Sequence, residues 1–166
     1  MAYRNKVYVS FDADNDMSYY RTLQMWDAND DFEFTFNDAH QINTILDKSE
    51  ESIKAGLQER FRNTKIFILL IGNHTKNLYR YVRWEIEQAI KREIPIIAVN
   101  INGKREIDSF LCPAVLQDEL AIHIPFKQKI IYYAMNNWPD SDRSHRKKGE
   151  TGAYHYKEQV YQNLGL

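Results

Sequence analysis

The fold that this sequence predicts is a single α/β domain on a central parallel sheet, and three observations carry that expectation. Runs rich in β-branched and aromatic residues alternate with amphipathic stretches along the chain, the pattern that calls for parallel strands with helices on both faces. Two of the runs, residues 65–72 (KIFILLIG) and 94–101 (IPIIAVNI), are apolar almost throughout, as strands covered on both faces must be. The length of 166 residues, with 43% hydrophobic and 27% charged, suits one domain with one substantial core.

Each element has its own reason. Residues 6–11 (KVYVSF) read as a first strand that ends in the acidic loop Asp12-Ala13-Asp14-Asn15-Asp16. Residues 17–26 follow as a helix, with Asp16 as its cap and Tyr19, Leu23 and Trp26 along one face. Residues 32–36 (FEFTF) alternate apolar and polar side chains and predict a half-buried outer strand. Residues 37–49 are polar and aperiodic, a long loop of the kind that often carries function. A helix over residues 49–63 has Glu50 and Glu51 in its first turn, where the helix dipole favours acids, and Ile53, Leu57 and Phe61 as its core stripe.

After the strand at 65–72 and a polar loop at 73–78, residues 79–93 predict a helix with the stripe Val82, Ile86, Ala89 and Ile90. The strand at 94–101 has Pro95 at its start, where a missing N–H is tolerated. Residues 102–120 are irregular, 121–126 (AIHIPF) are the last expected strand, and 127–138 are a helix. Residues 140–152 are expected as a charged, mobile loop and 154–164 as one more helix. The chain is expected to be one domain over 1–166, with 127–166 as a C-terminal helical extension.

Composition and motifs exclude several function classes. The formal net charge of −1 gives no field to recruit nucleic acid or an anionic membrane. Cys112 is the only cysteine, so an internal disulfide is impossible; a reducing compartment fits, and an inert buried thiol is the favoured reading. No membrane span and no secretory signal are expected, so the expected location is cytoplasmic. The loop after the first strand has three Asp and no Gly, which suits no phosphate, and neither a Walker motif nor GxGxxG occurs. A phosphoacceptor receiver would need an Asp ending the third strand, where Gly72 and Asn73 stand. His40, His74, His123, His145 and His155 show no ligand spacing, so no metal is expected, and each reads as a surface or capping residue.

Ligand sites in open α/β sheets lie beyond the carboxyl ends of the strands. That points to residues 10–16, 37–49 and 73–78. At about 100° per residue, Glu85 falls at the border of the apolar arc of its helix. There it can face a pocket or pair with a Lys or Arg at the rim, and periodicity leaves both open.

The order of these motifs resembles the TIR-like domains of the Thoeris antiphage systems, a family with a flavodoxin-like three-layer fold. The resemblance covers about residues 4–126, and its most specific piece is IFILLIGNHTKNLYRYVRWEIEQAIKREIPIIAVNI. It implies that Glu85 is the catalytic residue of an NAD glycohydrolase or ADP-ribosyl cyclase, with NAD as substrate and no cofactor. Phe11, Asp12, Asp38, Thr75 and Trp84 are the substrate-binding positions that go with it, and Phe11, Asp12, residues 37–40 and Glu85 are expected to line one concavity. Phe11, Trp84 and Tyr79 can stack on NAD or simply pack, and Arg80 and Arg83 can meet a diphosphate or stay solvated. A downstream effector, reached through a diffusible cyclic ADP-ribose-type signal, is the implied partner. Self-association as a homo-oligomer is also expected, since TIR domains commonly act that way. Two other readings compete: a non-catalytic TIR-like adaptor, and a nucleoside deoxyribosyltransferase-like enzyme, which also uses a Glu.

Overall fold

The computed structural model describes residues 7–28, 36–37, 50–78 and 81–166. β1 (Val7–Ser10), β2 (Phe36–Asn37), β3 (Ile66–Ile71), β4 (Ile96–Asn100), β5 (Ala121–Pro125) and β6 (Ala153–Tyr154) form one sheet in the order β2-β1-β3-β4-β5-β6. All five neighbouring pairs are parallel. The helices are α1 (Met17–Ala28), α2 (Glu50–Phe61), α3 (Val82–Lys91), α4 (Gln128–Lys147) and α5 (Glu158–Asn163).

Alternate residues of a strand face opposite sides of a sheet, and two cores follow from that. On one face Val7, Val9, Ile68, Leu70, Val99 and Ile124 pack with Tyr20 and Leu23 of α1, Ile131 and Trp138 of α4, and Tyr161 of α5. On the other, Tyr8, Phe67, Leu69, Ile71 and Ala98 pack with Leu57 and Phe61 of α2 and with Val82, Ile86 and Ala89 of α3. This is the expected flavodoxin-like three-layer α/β architecture. Every residue of β3 and β4 is buried, because both strands lie inside the sheet under helices on both sides. β2 is at the edge of the sheet and shares only Phe36 with the outer strand expected over 32–36, whose residues 32–35 lie outside the described residues.

Four expectations are corrected. α3 starts at Val82, three residues later than periodicity suggests, with Tyr81 in a turn before it. The loop expected at 140–152 is helical as far as Lys147, because α4 runs through Pro139. Proline removes one N–H and disfavours a helix interior, but the flanking turns are anchored. Trp138 and Asp142 are both buried, Arg146 Nε donates to Asp142 Oδ1 at 2.9 Å, and the His145 ring lies 4.1 Å from that of Tyr154. β5 is not the last strand: Ala153 and Tyr154 pair with Ala121 and Ile122, so residues 127–166 contribute a strand as well as helices. His123 is in the core, not at the surface; burial first, and the neighbouring His155 second, hold it down to about 4.

Candidate functional site

The strand order reverses between β1 and β3, and in such sheets the ligand crevice opens beyond the carboxyl ends at that point. Two loops leave it, one after β1 and one after β3, and they touch. A Cβ on Gly72 would lie 2.3 Å from Asp16 Oδ2, so any larger residue there would have to displace the Asp16 carboxyl. The Gly72 N–H donates to Thr75 Oγ1 at 2.9 Å, and the Thr75 hydroxyl donates to the Leu70 carbonyl at 3.4 Å. Thr75 is thereby fixed at the end of β3. With Val82, Arg83, Ile86 and Cys112 it also lines a cavity of about 350 Å³.

Asp12 is buried and engaged within its own loop. Its Oδ1 accepts the N–H groups of Asp14 and Asn15, and its Oδ2 accepts Asn15 Nδ2 at 2.7 Å, an Asx-type turn. Asp16 Oδ2 is buried without a hydrogen-bond partner among the described residues. Burial, and then the Asp12 charge, push the Asp16 carboxyl above its ordinary value, against the opposing effect of His74. The side chain expected as a helix cap is instead pressed against Gly72, while the Asp16 carbonyl accepts the N–H groups of Tyr19 and Tyr20.

Glu85 is in the first turn of α3 and is 1% exposed. The border position read from periodicity becomes an interior one because α3 packs on the face of β1 that carries hydroxyls. Tyr8 and Ser10, two residues apart on β1, point to the same side. The Ser10 hydroxyl donates to Glu85 Oε1 at 3.0 Å, and the Tyr8 phenol donates to Oε2. Both bonds favour the carboxylate, but burial outweighs them and pushes the Glu85 carboxyl up to about 7. The same burial, with the Glu85 charge, holds the Tyr8 phenol well above its usual range.

The other expected site residues are distributed around this group. Trp84 packs edge-on against Phe61 at 6.1 Å, and Lys54 Nζ lies 5.7 Å from the Trp84 ring. Phe11 is in the core on the opposite face of the sheet, stacked on Tyr20 at 4.5 Å. The structure therefore brings Glu85 together with Tyr8 and Ser10 and not with Phe11. Arg83 is exposed and paired with Glu87 at 3.1 Å. Asp38, residues 38–40, Tyr79 and Arg80 lie outside the described residues. Tyr8 and Ser10 were missed at the level of sequence, although their spacing of two within KVYVSF marks a shared face.

Among the described residues, no three His, Cys, Asp or Glu side chains converge as a metal ion would require, and no helix is long and apolar enough to cross a membrane. Cys112 is buried, and its thiol is pushed up to about 12, so it stays protonated and is a poor nucleophile. The group best prepared for chemistry is thus a buried carboxyl that titrates near neutrality beside the switch point of the sheet. The family model described as the TIR-like domain of Thoeris protein ThsB matches residues 8–106, a span that holds Tyr8, Ser10, Thr75 and Glu85. With well over half of its length matched, this chain belongs to the Thoeris TIR-like domain family and is a defence-related protein of that kind.

Proposed function

We propose that this protein cleaves the nicotinamide–ribose bond of NAD, as a glycohydrolase or ADP-ribosyl cyclase with Glu85 as its catalytic residue. Its product is a cyclic ADP-ribose-type signal that a downstream effector reads during antiphage defence. The observation that carries this reading is the buried Glu85 carboxyl, poised at about 7 on two hydroxyl donors. Perturbed carboxyls of this kind concentrate where chemistry is done.

The reaction suits a single carboxylate. The bond breaks through an oxocarbenium-like state, as glycosidic bonds do. The nicotinamide ring of NAD is already cationic and departs neutral as the bonding pair returns to its nitrogen, so no general acid is needed. The ionised Glu85 stabilises the positive charge that develops on the ribose and accepts its hydroxyls. The cationic ring of bound NAD favours that ionised form. Capture by water gives ADP-ribose, and capture by a hydroxyl or ring nitrogen of the same molecule gives a cyclic isomer. Action in the cytoplasm, and activation by a trigger or by self-association into a homo-oligomer, belong to the same proposal.

The complete burial of Glu85 favours one alternative, a non-catalytic adaptor in which the Tyr8–Glu85–Ser10 cluster only ties α3 to β1. Incubation with NAD, with and without lysate from infected cells, followed by mass spectrometry, separates the two. Release of nicotinamide with ADP-ribose or a cyclic isomer is expected. Intact NAD under both conditions favours the adaptor, and cleavage of nucleosides in place of NAD points to a deoxyribosyltransferase-like enzyme.

A further inference from the structure

The two oxygens of Glu85 have unlike partners. Oε2 accepts from Tyr8 and Oε1 from Ser10 at 3.0 Å. Ser10 is two residues nearer the carboxyl end of β1 than Tyr8, about 7 Å along the strand. Oε1 is therefore bonded to the strand position nearer the carboxyl edge of the sheet, where ligands bind in folds of this kind, and Oε2 to the more interior position. Tyr8 is fully buried, and its ring is stacked on Phe61 at 4.2 Å and on Phe67 at 5.7 Å. That stacking fixes the phenol oxygen in space. A serine hydroxyl is small and free to rotate, and it can give up its place to another hydroxyl.

We propose that Tyr8 is a positioning residue for Glu85: from within the core it anchors Oε2, so that Oε1, held by Ser10 in the free protein, is the oxygen presented to the substrate ribose. The inference rests on the NAD-cleaving reading. It gives the two donors separate tasks, Tyr8 staying bonded through the reaction and Ser10 yielding to a ribose hydroxyl. Among the described residues, the titratable and charged groups acting on the pair are few. Arg60 of α2 and Tyr20 of α1 act on Tyr8 in opposite directions, and Tyr8 and Ser10 themselves act on Glu85.

Tyr8→Phe removes one hydroxyl and keeps the ring and its stacking. Two readouts are needed. NMR of the side-chain carboxyl carbons of glutamate-labelled protein reports where Glu85 ionises, with no need for turnover. NAD cleavage under activating conditions reports kcat and KM. Loss of a donor to the charged form should raise the Glu85 midpoint by about one unit and lower kcat at pH 7 by roughly fivefold, with KM little changed and activity recovering at higher pH. Placing 3-fluorotyrosine at position 8 supplies a stronger donor without altering packing, and it should move the midpoint the opposite way. A merely structural tyrosine would not produce that graded response. An unchanged midpoint in Tyr8→Phe and in the fluorotyrosine protein overturns the inference. A shifted midpoint with wild-type turnover at pH 7 overturns the positioning role in catalysis. A wild-type protein that leaves NAD intact under all conditions overturns the functional reading instead, and the midpoint measurement tells that failure from the other two.

Discussion

Glu85 and Asp108 are both buried carboxyl groups, and the protein treats them in opposite ways. Asp108, in the loop after β4, is 5% exposed and meets a full set of donors. Its Oδ1 accepts the N–H groups of Phe110 and Leu111, each at 3.0 Å. Its Oδ2 accepts Asn102 Nδ2 at 2.9 Å and lies 3.5 Å from Lys104 Nζ. These contacts, the Leu111 N–H foremost, hold its carboxyl below the usual range. Glu85, 1% exposed, has two hydroxyl donors and no cation among the described residues, and its carboxyl is pushed up to about 7. The charge is set by the balance between lost water and gained donors: at Glu85 burial outweighs two hydroxyls, whereas at Asp108 the backbone N–H groups, Asn102 and Lys104 outweigh it. Asp108 is therefore an anion near neutral pH that shapes a loop, and Glu85 a group that can change state.

The largest test of this contrast is Glu85→Gln. Removing the charge should lower NAD turnover by about 10²–10³-fold, or about 3–4 kcal/mol, the usual weight of one well-placed electrostatic group. The same change should raise stability at pH 7 and above, because a neutral amide has no charge to desolvate. The melting temperature should rise by roughly 2–4 °C for each kcal/mol gained. A mutant that is slower and less stable would make Glu85 a structural group like Asp108.

The second test is pH. Turnover by the wild type should rise through about pH 7, where Glu85 ionises, falling tenfold per pH unit on the acid side. Stability should run the other way. A carboxyl raised from 4.5 to about 7 holds its proton more tightly in the folded state. Its stabilisation is complete below the unfolded midpoint and is lost as pH rises toward 7, at about 1.4 kcal/mol per unit. His123, lowered from 6.5 to about 4, opposes this, since its contribution is lost as pH falls from 6.5 toward 4. The two nearly cancel in the wild type over the window they share. In Glu85→Gln only the histidine slope should remain, so the variant's melting temperature should fall visibly on acidification. A variant with the flat profile of the wild type would mean that Glu85 does not titrate in that window.

Asp108→Asn is the converse case. It should cost about 1–3 kcal/mol of stability, because donors built for an anion lose it, with NAD turnover per folded molecule unchanged. Asp108 stabilises the fold above the ordinary aspartate value of 3.8, and its contribution disappears as pH falls through its lowered folded midpoint. Thermal melts of wild type and variant should therefore converge in strong acid, and a constant gap down to that range would refute the assignment.

The smallest expected effect is that of Asp16→Asn. Asp16 resembles Glu85 in that its carboxyl is raised, but differs in that its Oδ2 has no hydrogen-bond partner among the described residues. Neutralising it should raise the melting temperature slightly, and a drop would show that its charge is used by a partner.

Much of the fold was legible in the chain. The runs at 65–72 and 94–101 could only be covered strands, and the stripes Leu57–Phe61 and Val82–Ile86–Ala89 reappear in one core. What escaped reading depends on distant contacts. Pro139 signals a helix end locally, but α4 continues past it because Trp138 and Asp142 are buried. A two-residue strand such as β6 has no periodicity of its own, and pairing with β5 creates it. At the site, helix periodicity and the family motif together point to Glu85, whereas Phe11, open between stacking on NAD and packing, is in the core against Tyr20 of α1.

By itself the sequence determined the layered α/β architecture, the central strands, the family and the position of one telling glutamate. Local hydrophobic pattern and motif order are sufficient for these, because each is written in contiguous residues. The tertiary structure alone decided how that glutamate behaves. Its partners Tyr8 and Ser10 stand 77 and 75 residues away in the chain, and their approach depends on α3 docking against β1. The charge state of a carboxyl depends on the water it loses and the donors it gains, and both exist only once the layers have closed.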